Sequence, residues 1–253
     1  MTAAGLPILQ PAPGPDATRS VGPLEHALAT LWRTERARFF SLGNLATVVR
    51  LRRRFSLRML RAVDLKVAIP RGQVPDCDNC VDLCCTGPDA IVSLRLRDIA
   101  ALLDRGLGDH ITFDRPTPSS PKEKELKLTW ARREADAAVF ARAFPVLARD
   151  ATGTCRLLTE DRTCGVWPSW PLSCARYPYA LDLQAGVVFY AKGCTATRIA
   201  PVAEAPVRAR ALVGAVVESY NARVRDVVLL AMARERLRDL GLLAYVREHE
   251  LGF

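Results

Sequence analysis

Eight cysteines fall in two groups of four: Cys77, Cys80, Cys84 and Cys85, then Cys155, Cys164, Cys174 and Cys194. Deprotonated thiolates bind Zn²⁺ and iron–sulfur clusters tightly, and C-x2-C lets two sulfurs from one tight turn reach the same metal. The first group reads C-x2-C-x3-C-C, which is a ligand pattern. The second group lies in turn-forming sequence. Gly153, Gly165 and Gly193 sit beside its cysteines, and Pro168, Pro171 and Pro178 stiffen the chain around Cys174. Such residues permit or impose the backbone angles that converging thiolates need.

Adjacent side chains of an extended chain point to opposite sides. On that basis Cys84 and Cys85 serve different sites or one of them is not a ligand; the preferred partition has Cys77, Cys80 and Cys84 joining one second-group thiol while Cys85 joins the other three. The metal would then tie the two halves of the chain together. His26, His110 and His249 lie outside both groups and read as ordinary surface or core residues. Asp76, Asp78 and Asp82 read as solvated turn residues, because thiolates outcompete carboxylates for soft metals. Trp167, Trp170 and Tyr177 read either as packing over the metal or as the wall of a substrate pocket. Four thiolates suit structural zinc and an iron–sulfur cluster alike.

The elements that must position these residues can be traced along the 253-residue chain, whose hydrophobic content of 49% supports a core without disulfides. Residues 1–23 carry five prolines and read as an extended leader. Leu24 to Phe40 has helical periodicity, with Leu28, Leu31 and Trp32 on one face. Asn44 to Lys66 is basic, and at helical spacing its apolar residues, Val49 and Val63 among them, oppose Arg50, Arg53, Arg54, Arg58 and Arg61. Ser93 is a candidate cap for a helix running to Asp104, and Glu123 to Arg149 has a mixed helical pattern. Tyr179 to Leu183 and Val187 to Ala191 form a predicted β-hairpin around Gly186 that delivers Cys194. A valine stripe from Val213 to Val228 predicts a long helix, and another follows near Leu237 to Val246. No internal repeat is visible in the sequence.

The fold class expected is α+β and mainly α-helical, an irregular cysteine-rich metal-binding core with a small β-hairpin flanked by N- and C-terminal helices. Its parts are the leader, a basic helical extension over 24–72, a cysteine-cluster domain over 73–200, and C-terminal helices over 201–253 that pack on the same core.

The formal net charge of +9 is concentrated in residues 1–76, with twelve Lys/Arg against five Asp/Glu. The cysteine region is nearly neutral, so bulk charge does not argue for nucleic-acid binding, and no interleaved aromatics offer base stacking. An acidic protein or surface docking on the basic helix 44–66 is the partner the charge suggests. No basic-then-apolar leader or run long enough for a membrane span is present. The expected compartment is cytoplasmic and reducing, where thiols and metal thiolates persist.

With these residues in view, the chain resembles the YkgJ-like, CxxCxxCC-type cysteine-cluster family of zinc- or iron-chelating proteins. Cys77-x2-Cys80-x3-Cys84-Cys85 is similar to its opening signature, and Ile91 to Ile99 to the strand and Asp-bearing helix that follow. Gly153-Thr-Cys155-Arg-Leu-Leu, then Cys164-Gly-Val-Trp167, Pro171, Cys174, Tyr177-Pro178 and Gly193-Cys194, resemble the later segments. Trp170 stands where an arginine is expected, and Ala175 follows Cys174 with Arg176 one place on. The resemblance implies chelation of zinc or iron, including an iron–sulfur cluster, by the eight cysteines. It is also similar to the cysteine region of flagellin lysine N-methylase, which implies a cluster-dependent protein lysine N-methylase or oxidoreductase as an alternative. No glycine-rich S-adenosylmethionine loop after a strand is evident. A structural zinc module that meets partners through its basic helix is the remaining class.

Overall fold

A helix that opens on proline and a helix that closes on glycine form the first layer. The computed structural model describes residues 22–36, 46, 49, 59–68, 73–75, 84–86, 92–114, 144–183, 185–190, 197–199, 205–232 and 239. Helix α1, Pro23–Glu35, begins with Pro23, whose fixed φ suits the first turn. Its Leu28, Ala29 and Leu31 are buried against helix α2, Leu96–Asp104. Leu96, Ile99, Ala100 and Leu102 supply the facing apolar stripe. Helix α2 ends in a Schellman arrangement: the N–H of Leu107 donates to the carbonyl of Leu102 at 2.9 Å and that of Gly106 to Leu103 at 3.0 Å. Gly106 takes φ +72°, which only glycine adopts without strain. Outside this layer Arg33 pairs with Asp104 at 2.5 Å.

A 28-residue helix, Ala205–Met232, spans two apolar clusters. Numbered α4, it follows the short α3, Leu172–Arg176. Val224, Val228, Leu229 and Leu230 join the cluster of α1 and α2. Val213 and Val216 pack instead with Tyr179 and Val188 of a small sheet. The valine stripe is therefore the buried face of α4, as its spacing predicts. Asp226 anchors the crossing, its Oδ2 accepting the N–H of Leu96 at 3.1 Å.

Three small sheets complete the described residues. The predicted hairpin is present as β5, Tyr179–Asp182, and β6, Val187–Tyr190, with Gly186 at φ +63° in its turn. Strand β1, Lys66–Ala68, adds to β6 in parallel. Strand β2, Gln73–Pro75, pairs antiparallel with β7, Thr197–Ile199. The chain thus enters the first cysteine group and leaves the last cysteine from neighbouring strands. Strand β3, Ile111–Asp114, pairs antiparallel with β4, Phe144–Leu147. The described residues are 46% helix and 19% strand, an α+β architecture. None of the described helices is long and apolar enough to cross a membrane.

Four expectations are corrected. The helix proposed over 44–66 does not extend to its end, because residues 59–61 are irregular, Ala62–Asp64 is a 3₁₀ turn and Lys66 starts β1. The cause is Asn221, which accepts the N–H of Leu60 at 2.8 Å and donates to its carbonyl at 2.9 Å, using both groups that a helix would need. Val63, assigned to the apolar face, is 84% exposed. Helix α2 is capped at Arg95 rather than Ser93, whose backbone bridges to Val146. The end of the helical pattern over 123–149 is strand β4, claimed by pairing with β3. Fourth, β1 falls inside the helical extension expected over 24–72, yet it extends the hairpin sheet. Residues 1–21, most of 37–58, 115–143 and all but Asp239 of the proposed last helix lie outside the described residues.

Candidate metal centre

The sequence shows no repeat, yet the backbone around Cys155 and Cys164 does. The N–H of Asp150 donates to the carbonyl of Thr154 at 2.9 Å, and nine positions on Thr159 donates to Thr163 at 2.9 Å. Gly153 donates to Asp150 at 3.1 Å, and Arg162 to Thr159 at 3.0 Å. Arg156 donates to Ala148, and Gly165 to Leu157. Leu158 donates to Cys155, and Trp167 to Cys164, both at 2.9 Å. Arg149 bridges Cys155 just as Leu158 bridges Cys164. The left-handed residue of each turn is Gly153 at φ +83° and Arg162 at φ +63°.

Residues 149–157 and 158–166 are therefore two copies of one turn, each carrying Thr-Cys at its sixth and seventh positions. Identity is limited to that dipeptide because the turn is held mainly by backbone bonds and polar side chains, which many residues satisfy. Asp150 Oδ1 accepts the N–H groups of Thr152 and Thr154 at 2.8 and 2.9 Å. In the second copy Thr159 Oγ1 accepts the N–H of Thr163 at 3.2 Å and bonds the Asp161 carboxylate. The threonine hydroxyls hold both carboxyls below the usual aspartate range. The repeat sets Cys155 and Cys164 in equivalent places, Cys155 buried and Cys164 half-buried.

Cys174 is delivered by α3, a helix of five residues whose N-cap, Pro171, makes no side-chain cap. Its first N–H, on Leu172, donates to Asp98 Oδ1 at 3.3 Å. The other Asp98 oxygen accepts the N–H of Arg95 at 2.9 Å. Ser173 Oγ donates to the carbonyl of Ser93 at 2.6 Å. Asp98 is buried, and burial pushes its carboxyl up to about 6 against the pull of the Arg95 and Leu172 N–H groups. Beyond α3, Arg176 donates to the carbonyl of Tyr179 at 3.2 Å and so is engaged with the hairpin.

Cys84 and Cys85 lie in a turn rather than an extended segment. The opposite-sides expectation therefore does not hold: the two thiols are hydrogen-bonded to each other. That bond lowers Cys84 to about 7 and raises Cys85. The N–H of Cys155 donates to the carbonyl of Cys85 at 2.6 Å, joining the two cysteine groups through the main chain. Electrostatics place the thiols in one neighbourhood. After its bond to Cys84, Cys85 is raised by burial and by Cys84, Cys155 and Cys174. Cys174 is raised by burial and then by Cys84, Cys155, Cys164 and Asp98. Burial also raises Cys155, opposed by the N–H of Leu157 and by Arg149, which pulls Cys84 down as well.

All five described cysteines are free thiols, and among the described residues no three Cys, His, Asp or Glu side chains stand close enough to hold one ion. Among the described residues the donor types, though not their spacing, are those of a soft-cation site. Burial and mutual repulsion oppose ionisation of Cys85, Cys155 and Cys174, and a bound cation is what reverses that opposition. Cys77, Cys80, Cys194, Asp76, Asp78, Asp82 and His249 lie outside the described residues. His26 is exposed, and His110 pairs with Asp109 at 2.7 Å.

The aromatics do not form a buried cover. Trp167 is 62% exposed, Trp170 36% and Tyr177 38%, and the two indoles meet edge to face at 4.3 Å. Two residues bearing on the cysteines were missed from sequence. Asp98 carries a legible signal as the third residue of an apolar-periodic helix, where a carboxylate caps its own N-terminus. Arg149 carries none, since its proximity to Cys84 arises from tertiary folding. Protein-family models, curated proteins and solved structures give no match to the chain.

Proposed function

We propose that the chain chelates zinc or iron, the latter as an iron–sulfur cluster, through thiolates drawn from both cysteine groups. The observation that carries this reading is the main-chain bond that sets Cys155 beside Cys85, with Cys84, Cys164 and Cys174 near enough to act on the ionisation of these buried thiols. Buried thiols that raise one another's pKa are unfavourable neighbours unless a cation compensates them. The equivalent placing of Cys155 and Cys164 by repeated turns favours their use at a common site. The N–H of Leu157 directed at Cys155 suits a thiolate ligand, because hydrogen bonds to sulfur tune and orient metal-bound thiolates.

On this reading Cys155, Cys164 and Cys174 join Cys84 or Cys85 around the metal, and Cys77, Cys80 and Cys194 complete the ligand set. Arg149 balances thiolate charge in place of the arginines that the YkgJ-like resemblance leads one to expect near 170 and 175. When bound, zinc supplies a structural cross-link, and an iron–sulfur cluster supplies electron transfer. Anaerobic purification with metal analysis and an absorption spectrum tests the reading. Stoichiometric zinc in a colourless protein, or iron with sulfide in a brown one, supports it. A chain that binds neither and keeps all eight thiols freely titratable contradicts it.

A further inference from the structure

We propose that Asp98 is the residue that positions Cys174 for ligation, an inference that rests on the thiolate–metal reading above. A helix of five residues does not persist by itself, since nucleation alone costs more than one turn returns. The place of α3 must therefore come from its contacts. Pro171 offers no cap, and the first N–H of α3 is taken by Asp98 Oδ1 at 3.3 Å, while Ser173 reaches the carbonyl of Ser93 at 2.6 Å. Both partners belong to residues 93–98, the stretch that follows the first cysteine group.

The second Asp98 oxygen is held at 2.9 Å by the N–H of Arg95, so the carboxylate is fixed at both ends. Asp98 is 6% exposed, an expensive place for a carboxylate unless its hydrogen bonds are needed. Its charge acts on Cys174 in the wrong direction for activating a thiol, because it discourages ionisation. The carboxylate thus serves to hold the helix, and through it the thiol. Cys155 and Cys164 do not depend on it, being held by the repeated turns.

The test is iodoacetamide alkylation of the reduced, metal-free full chain, with rates mapped to individual cysteines by mass spectrometry. Asp98→Ala is expected to speed Cys174 by roughly tenfold, the lower end of what losing a hydrogen bond to a charged group delivers through local opening. Cys155 and Cys164 stay within about twofold, less than the loss of a single neutral hydrogen bond would produce. Asp98→Asn keeps one oxygen for the Leu172 N–H and falls between, and it carries the test if the alanine variant does not fold. Equal acceleration of all three thiols, or no acceleration of Cys174, overturns the inference.

Cobalt titration supplies the second readout. Asp98→Ala is expected to lose the same share of thiolate-to-cobalt charge-transfer absorption as Cys174→Ser, with no further loss in the double variant. Additive losses overturn the inference. A wild-type chain without any such band overturns the metal reading instead, and the alkylation pattern still decides whether Asp98 holds Cys174.

Discussion

The N–H of Cys155 donates to the carbonyl oxygen of Cys85 at 2.6 Å, which joins the two cysteine groups by their main chains before any metal is considered. The bond fixes the first repeated turn beside the Cys84–Cys85 turn. Cys164 follows by repetition of the same backbone pattern, and Cys174 follows through Asp98. Three separate local devices therefore bring distant cysteines together.

The repeat makes a prediction about equivalence. Cys155→Ser and Cys164→Ser are expected to reduce bound metal to the same extent, measured as metal per chain after gel filtration. Cys155 is buried and Cys164 half-buried, so Cys155→Ser should also lower metal-free stability more. Full metal retention in one variant and loss in the other would break the equivalence.

The Asn221 clamp on Leu60 should be worth about 1–3 kcal/mol, since its removal leaves two backbone groups without their partner. Asn221→Ala is expected to lower the urea midpoint accordingly. Asn221→Asp should do no better, because it still accepts from the Leu60 N–H but sets a second oxygen against the Leu60 carbonyl. An aspartate variant as stable as wild type would show that the clamp does not fix this segment.

Periodicity made α1, α2, α4 and the β5–β6 hairpin legible, because each buries one face and the apolar residues mark it. Long-range pairing was not legible. Residues 59–66 keep a helical apolar spacing, but the side chain of Asn221 and the pairing of β1 with β6 divert them. Strand β4 has no distinctive pattern of its own and is defined by β3. At the candidate site the cysteine spacing is what motivates the proposed soft-metal chemistry, whereas the repeated turns hid behind a single shared Thr-Cys. The adjacency of Cys84 and Cys85 misled because their relative direction depends on a turn that the residues alone do not specify.

Core and surface positions on either side of this correction should respond differently. Ile99, fully buried, is expected to lose about 2–5 kcal/mol on replacement by alanine. Val63, 84% exposed, should change stability by no more than about 0.5 kcal/mol when replaced by alanine. Chemical unfolding of the two variants checks both. A costly Val63→Ala would restore the helical assignment of that segment.

Asp98 also gives the fold a pH dependence. An acid whose folded pKa is raised contributes stability that is present below its unfolded value near 3.8 and lost as pH rises through about 6. Arg95 and Arg97 oppose the shift. Cys174 faces Asp98 as well and is neutral in this range, its own pKa being raised. The whole loss, from well below pH 3.8 to well above pH 6, amounts to about 3 kcal/mol at 1.36 kcal/mol per pKa unit, most of it between pH 4 and 7. Urea midpoints of the metal-free chain should fall over this window more steeply than those of Asp98→Asn. Equal slopes would contradict the assignment.

The claim that thiolates from both cysteine groups share a metal is tested most directly by X-ray absorption at the metal edge of the anaerobically purified chain, compared with Cys85→Ser and Cys155→Ser. The account predicts an all-sulfur shell at about 2.3 Å that loses sulfur in both variants. A shell of nitrogen and oxygen, or an all-sulfur shell untouched by one of the two substitutions, would contradict it.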